Sequence, residues 1–153
     1  MARARLEARA LVVVLAVTMG LASTASASPQ LTKPQYIAKA DALCRSAVAQ
    51  IRRLSPLYPA PRTAAIGDRW LAIDRATLAK LRALSPPAAD RATVSHILAL
   101  ASTAINKGLV AVVAAAKARN STGYATASQR FGAMIKQARA AAARYGASEC
   151  ARW

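Results

Sequence analysis

Two cysteines, Cys44 and Cys150, lie 106 residues apart and place the strongest single constraint on how this chain folds. An even number of cysteines in an oxidising compartment predicts one disulfide bond. In the chain-entropy model, a bridge of this span stabilises the folded state by about 4.7 kcal/mol as an upper estimate. A zinc pair or a redox thiol is the alternative interpretation. It is disfavoured because there is no C-x-x-C spacing and the chain has one histidine.

Residues 1–27 predict that the protein reaches such a compartment, because they have the three parts of a secretory signal peptide. Three arginines lie among the first nine residues, the apolar segment 11–22 follows, and residues 25–27 are Ala-Ser-Ala. The apolar segment is much shorter than the roughly 20 residues that span a bilayer, which disfavours the alternative of an uncleaved membrane anchor. Cleavage after Ala27 leaves residues 28–153 as one secreted domain.

The chain is strongly basic, with a formal net charge of +16. Removal of residues 1–27 takes away three Arg and one Glu and leaves +14. Such a charge predicts attraction to an anionic lipid surface or an anionic envelope polymer. The alternative is codon bias in a GC-rich genome, which would also produce 16 Arg against 6 Lys. The basic residues are spread along the chain rather than interleaved with aromatic residues, so no specific nucleic-acid site is expected. The densest group, Arg52, Arg53 and Arg62, is the candidate for contact with an anion.

The first helix is predicted to begin at Thr32, because Thr32-Lys33-Pro34-Gln35 fits a capping box with proline in the first turn. Leu31 and Tyr36 are spaced to form the hydrophobic staple of that box. A stripe with spacings of three and four residues then predicts the buried face, and Ser55-Pro56 predicts the end of the helix. The stripe consists of Ile37, Ala40, Cys44, Ala47, Val48, Ile51 and Leu54.

Three further helices are predicted over residues 63–84, 88–119 and 121–145, separated by Ser85-Pro86-Pro87 and by the N-cap Asn120. Gly146 is placed to end the last one. No alternating pattern typical of a strand occurs after residue 27. The expected fold is therefore all-α, an antiparallel up-down-up-down four-helix bundle stapled by one disulfide, in which the first and fourth helices are neighbours.

Apolar residues at helical spacing predict the buried face of the second helix, and the third helix has an unusually apolar stretch. In the second, the predicted inner face is Ile66, Trp70, Ile73, Thr77, Leu81 and Leu84. In the third, residues 97–116 are apolar enough to suggest a membrane span. Lys107 lies at the middle of that stretch, where a charge is costly in lipid, so a bundle helix with Lys107 pointing outward is expected.

Three short segments resemble a loose group of small exported proteins of GC-rich Gram-positive bacteria. They are residues 36–45, which contain Tyr-Ile-x-x-Ala-Asp-x-Leu-Cys, the break at residues 84–87, and the Tyr-Gly-x-x-x-Cys of residues 145–150. The resemblance implies a helical bundle in which Cys44 and Cys150 are paired. It implies no activity. Members with a lipobox carry a lipid-bearing cysteine that this chain lacks, so the resemblance implies release rather than tethering.

Few side chains of this sequence could carry chemistry. Asp41 could be an acid, a base or a ligand, but the expected role is structural, in an ion pair with Arg45 or with a base on another helix. The only histidine, His96, is expected at the edge of a buried face, with no nucleophile identifiable beside it. Noncovalent haem ligation by His96 with Met134 or a tyrosine is the sharpest alternative. No metal or cofactor is expected.

The sequence therefore predicts a secreted, monomeric, non-enzymatic helical module that contacts an anionic partner of the cell envelope. The alternative is a carrier of a small apolar or haem-like ligand in a cavity between helices, near Trp70 and Met134. A small exported enzyme is the least favoured hypothesis, since no catalytic constellation is found.

Overall fold

A computed structural model gives the structure of residues 30–54 and 60–153. The predicted signal peptide (residues 1–27) and the predicted stop at Ser55-Pro56 lie outside the described residues. Within the described ranges the protein is all-helical and has no strand. The described residues form four helices, α1 (Lys33–Arg53), α2 (Ala60–Ala83), α3 (Ala88–Lys117) and α4 (Ser121–Tyr145).

The start of α1 is confirmed in detail. Gln35 N donates to Thr32 Oγ1 at 3.4 Å, and Thr32 N donates to Gln35 Oε1 at 3.0 Å, so both halves of the capping box are formed. Tyr36, Ala40, Cys44 and Ala47 are buried along one face of the helix. The predicted stripe is therefore correct at its centre.

The buried face of α2 is wider than the sequence predicts, because α1 packs on one side of the helix and α3 on another. Ile66 and Ile73, which were expected inside, are only half-buried. Trp70, Thr77 and Leu81 are buried as predicted. The other buried residues of the helix include one acid and are Thr63, Gly67, Leu71, Asp74 and Leu78. Gly67 is required by close packing, since a Cβ there would lie 2.6 Å from Val113 Cγ2 of α3.

The third helix is continuous but not uniform. It begins with a 3₁₀ turn (Ala88–Asp90), is α-helical over Arg91–Thr103 and Val110–Lys117, and has a π-helical segment between them at Ala104–Leu109. By length and composition alone it could cross a membrane. In the structure it packs between α2 and α4, with Lys107 exposed.

Both ends of α4 form as the sequence predicts. Gly123 N donates to the side chain of Asn120 at 2.8 Å, and Gly146 adopts a left-handed φ of 100°. After Gly146 the tail (residues 147–153) turns back to α1, where Cys150 forms the predicted disulfide with Cys44.

The first and fourth helices are neighbours at the disulfide end, where the rings of Tyr36 and Tyr145 meet edge to face with centroids 6.1 Å apart and Lys33 Nζ lies 4.6 Å from the Tyr145 centroid. Close backbone contacts join α1 to α2, α2 to α3 and α3 to α4, whereas α1 and α4 share few of them within the described ranges. Over the rest of their length the tail lies between them. It is bonded to α1 through the disulfide and to α4 through Arg139, whose Nε donates to the main-chain oxygen of Trp153 at 2.5 Å. A groove results between α1 and α4.

Candidate functional site

The groove has a volume of about 360 Å³ and is lined by all four helices and the tail. We call it the Asp74 groove. Its wall is mainly apolar, and the apolar side chains come from α1, α3 and α4 as well as α2. The apolar residues of the wall are Val48, Ile51, Trp70, Ala101, Ile105, Phe131, Ile135 and Trp153.

Asp74 is the central polar group of the groove. It is only 5% exposed, and Trp153 Nε1 donates to its Oδ1 at 2.8 Å. The two salt bridges of the described residues join other groups, so no cation among those residues lies within salt-bridge distance of Asp74. Burial raises the pKa of Asp74 to about 6, and hydrogen bonding by the indoles of Trp153 and Trp70 opposes that shift.

Aromatic rings surround this carboxylate. Trp70 is 8% exposed and meets Phe131 edge to face, with ring centroids 5.8 Å apart. The chain has two tryptophans, and both line the Asp74 groove. Trp153 also lines a second, apolar cavity of about 40 Å³ on the disulfide side. Its position therefore determines the shape of both spaces.

The tail that positions Trp153 is held by Asp41. The carboxylate oxygen Oδ1 of Asp41 accepts from the backbone N–H groups of Glu149 at 3.0 Å and Cys150 at 3.2 Å. The ion pair predicted between Asp41 and Arg45 is not formed, and Arg45 is exposed. Two backbone donors of the tail point at the carboxylate, and charge-assisted hydrogen bonds of this kind are stronger than an exposed ion pair. The carboxylate of Asp41 therefore binds the backbone of the tail and not Arg45.

Three arginines stand at the mouth of the Asp74 groove. Arg139 donates hydrogen bonds to the main-chain oxygens of Arg152 and Trp153 in the tail, and Arg152 Nη1 lies 3.2 Å from Glu149 Oε1. Arg52, from the last turn of α1, is exposed and also lines the groove. Of the three arginines predicted to contact an anion, only Arg52 lines this groove. Arg53 and Arg62 are exposed at the end of α1 and the start of α2, on either side of the segment 55–59, which lies outside the described residues.

A second polar atom in the wall has no partner. Ser128 Oγ on α4 is buried, and it is the one buried side-chain oxygen or nitrogen of the described residues without a hydrogen bond. Buried polar atoms are almost always satisfied. Ser128 therefore offers a hydrogen bond to a molecule that occupies the groove.

The structure does not bring together the residues considered for haem. His96 is exposed. Met134 Sδ lies 3.3 Å from the position of a Cβ on Gly108, which is twelve residues along α3 from His96. At about 1.5 Å per residue that separation is roughly 18 Å, so the two cannot bind one iron. Met134 also lies outside the wall of the Asp74 groove, although Trp70 is part of it. Among the described residues, no group of three or more His, Cys, Asp or Glu could hold a metal.

Sequence reasoning missed Asp74 and Trp153. A signal for Asp74 was present, because it follows Trp70 by four residues and precedes Thr77 by three, which puts all three on one helical face. Ile73 competes for the same face in the sequence, and isoleucine is buried far more often than aspartate. No local signal indicates that Trp153 returns to α2.

No known protein family matches this chain, and neither a curated protein nor a solved structure shows significant similarity to it. The resemblance to small exported proteins therefore stays a prediction.

Proposed function

We propose that this protein is an exported, non-enzymatic helical module that binds a small, mainly apolar molecule in the Asp74 groove. The observation that carries the proposal is the groove itself. Its volume of about 360 Å³ lies within the range of roughly 300–1,000 Å³ that is typical of small-molecule sites. Its wall combines apolar side chains with two buried polar groups, Asp74 and Ser128, and this combination is also typical of such sites.

Export is supported by the features of residues 1–27 and by the disulfide between Cys44 and Cys150, since such bonds persist mainly outside the cytoplasm. The interpretation as an up-down-up-down bundle is supported by the contacts between consecutive helices and by the short connections α2–α3 and α3–α4. The low number of carboxylates in the groove, Asp74 alone, supports binding rather than hydrolysis.

A second function, contact with an anionic envelope polymer or lipid surface, is favoured by the surface charge. Of the lysines and arginines in the described residues, only Lys117 and Arg152 form salt bridges. Each side-chain carboxylate there already has a hydrogen-bond donor within the protein. These acids are Asp41, Asp68, Asp74, Asp90 and Glu149. The remaining cations can therefore meet an external anion, and that binding should weaken as salt is added.

Groove binding can be tested with a neutral apolar fluorophore, N-phenyl-1-naphthylamine, titrated into the purified protein. Gly132 lines the groove and a Cβ there meets nothing within 4 Å, so a side chain can start at this position without a clash, and a large one would occupy space at the groove. We expect saturable binding with one site, and at least a tenfold loss in Gly132→Phe.

Gly132→Ala is the matched control, because it adds a Cβ at the same position but occupies little of the groove. It should bind the fluorophore as the unchanged protein does. Equal binding by Gly132→Phe and Gly132→Ala would show that the fluorophore lies elsewhere and would contradict the proposal.

A further inference from the structure

The carboxylate of Asp74 has no counter-ion among the described residues, although the chain has a net charge of +16. Asp74 is the one buried acid of the described residues, and its hydrogen bond comes from the indole of Trp153, which is neutral. A buried charge that is hydrogen-bonded but unpaired still carries a large desolvation cost. A positively charged group placed beside it would recover part of that cost.

The arginines at the mouth do not supply that charge. Arg139 donates hydrogen bonds to the main-chain oxygens of Trp153 and Arg152, and the guanidinium of Arg152 pairs with Glu149. Arg52 is exposed, and none of the three lies within salt-bridge distance of Asp74. The buried end of the groove is therefore acidic, although its mouth is basic.

The rings beside Asp74 suit the same kind of group. Trp153 donates a hydrogen bond to the carboxylate, Trp70 lines the same groove one helical turn before Asp74, and Phe131 packs against Trp70. Aromatic rings attract organic cations through their electron-rich faces, tryptophan most strongly. A carboxylate among aromatic rings is a combination that recognises an ammonium group with an apolar body.

We propose that the ligand of the Asp74 groove is an organic cation, an amine or quaternary ammonium whose charged nitrogen lies beside Asp74 and whose apolar body packs against Trp70, Phe131 and Trp153. This inference rests on the proposed function and names the chemical class of its ligand. It commits to a cation rather than an anion, because a charge interacts more strongly at the buried carboxylate than at the solvated arginines of the mouth.

Three probes with the same bicyclic body test the charge directly. They are 1-naphthylmethylamine, which is cationic, 1-naphthylmethanol, which is neutral, and 1-naphthoate, which is anionic. Each is titrated calorimetrically into the whole protein at about pH 8 and moderate salt. We expect the cation to bind at least tenfold more tightly than the neutral probe, and the anion to bind more weakly than both.

Variants locate the effect. Asp74→Asn keeps the shape of the side chain and should reduce the affinity for the cation to that for the neutral probe, while the neutral affinity changes by less than about twofold. Asp68→Asn is the matched control, since Asp68 lies on the same helix but is exposed and paired with Lys117. It should leave all three affinities unchanged.

The outcomes separate the two proposals. If none of the three probes binds, the proposed function itself fails. If the neutral probe or the anion binds as tightly as the cation in the unchanged protein, the groove takes apolar molecules but the inference about charge is overturned. That comparison needs no variant, so it decides the question even if Asp74→Asn does not fold. A cation preference that survives in Asp74→Asn, or that is lost equally in Asp68→Asn, also overturns it.

Discussion

Replacing Asp74 by asparagine should make the protein more stable at neutral pH and leave its stability nearly unchanged in acid. In the folded protein the pKa of Asp74 is raised from 3.8 to about 6 by burial. The protonated form is therefore favoured by folding, and ionisation of Asp74 destabilises the folded state. That penalty is absent below the unfolded pKa, grows between the two pKa values and is constant above the folded one. Asparagine keeps an oxygen that can accept from Trp153 Nε1 but never ionises.

The magnitude follows from the pKa difference. A difference of about 2 pKa units at about 1.36 kcal/mol each gives a penalty of about 3 kcal/mol at full ionisation. Most of that should appear between about pH 4 and about pH 8. For a domain of this size, a change of that order shifts the melting temperature by about 10 °C.

The assay is thermal unfolding followed by circular dichroism at both pH values and constant ionic strength. The quantity to compare is the melting temperature of Asp74→Asn minus that of the unchanged protein. It should increase by about 10 °C from the acidic to the neutral buffer. The exposed pair variant Asp68→Asn should show no such increase. A difference that is the same at both pH values, or that falls as pH rises, would refute the reasoning from desolvation.

Three other changes are expected to act on stability, and thermal unfolding measures each. Cys44→Ser should cost up to about 4.7 kcal/mol by opening the long loop, and a reductant should lower the unchanged protein to the same level; a variant as stable as the oxidised protein would contradict this. Asp41→Asn should cost about 1–3 kcal/mol, because two backbone donors of the tail lose a charged acceptor; no loss would mean that the tail is held without it. Gly67→Ala should cost about 1–3 kcal/mol by pressing on Val113, whereas Gly132→Ala, on an open helix face, should gain up to about 1 kcal/mol. If Gly67→Ala were instead the more stable of the two variants, Val113 would have to move aside freely.

The helix ends were determined by the sequence, because they depend on residues only a few positions apart. The capping box at Thr32, the cap at Asn120 and the left-handed Gly146 each satisfy backbone groups within one turn of the helix. The pairing of Cys44 with Cys150 was also predictable, since a chain with two cysteines can form one intramolecular disulfide.

Which faces became buried was decided by packing. The stripe of α2 predicted Ile73 inside, but contact with α1 on one side and α3 on the other turned Asp74 into the groove. The sequence pattern likewise did not predict the π-helical segment Ala104–Leu109. Gly108 there meets the backbone of Phe131 on α4, with its Cβ position 3.2 Å from Phe131 Cα. This is a contact between helices rather than a local preference.

The candidate site depends almost entirely on the tertiary structure. The sequence could place an aspartate on α2 and a tryptophan at residue 153, but their hydrogen bond joins residues 79 positions apart. Only the path of the tail brings them together, and that path is held by Asp41 and by the disulfide. Periodicity along a chain reports which residues share a helix face. Which residues pack against that face depends on distant segments of the chain. Here those segments place the one buried acid of the described residues beside two indoles rather than a cation.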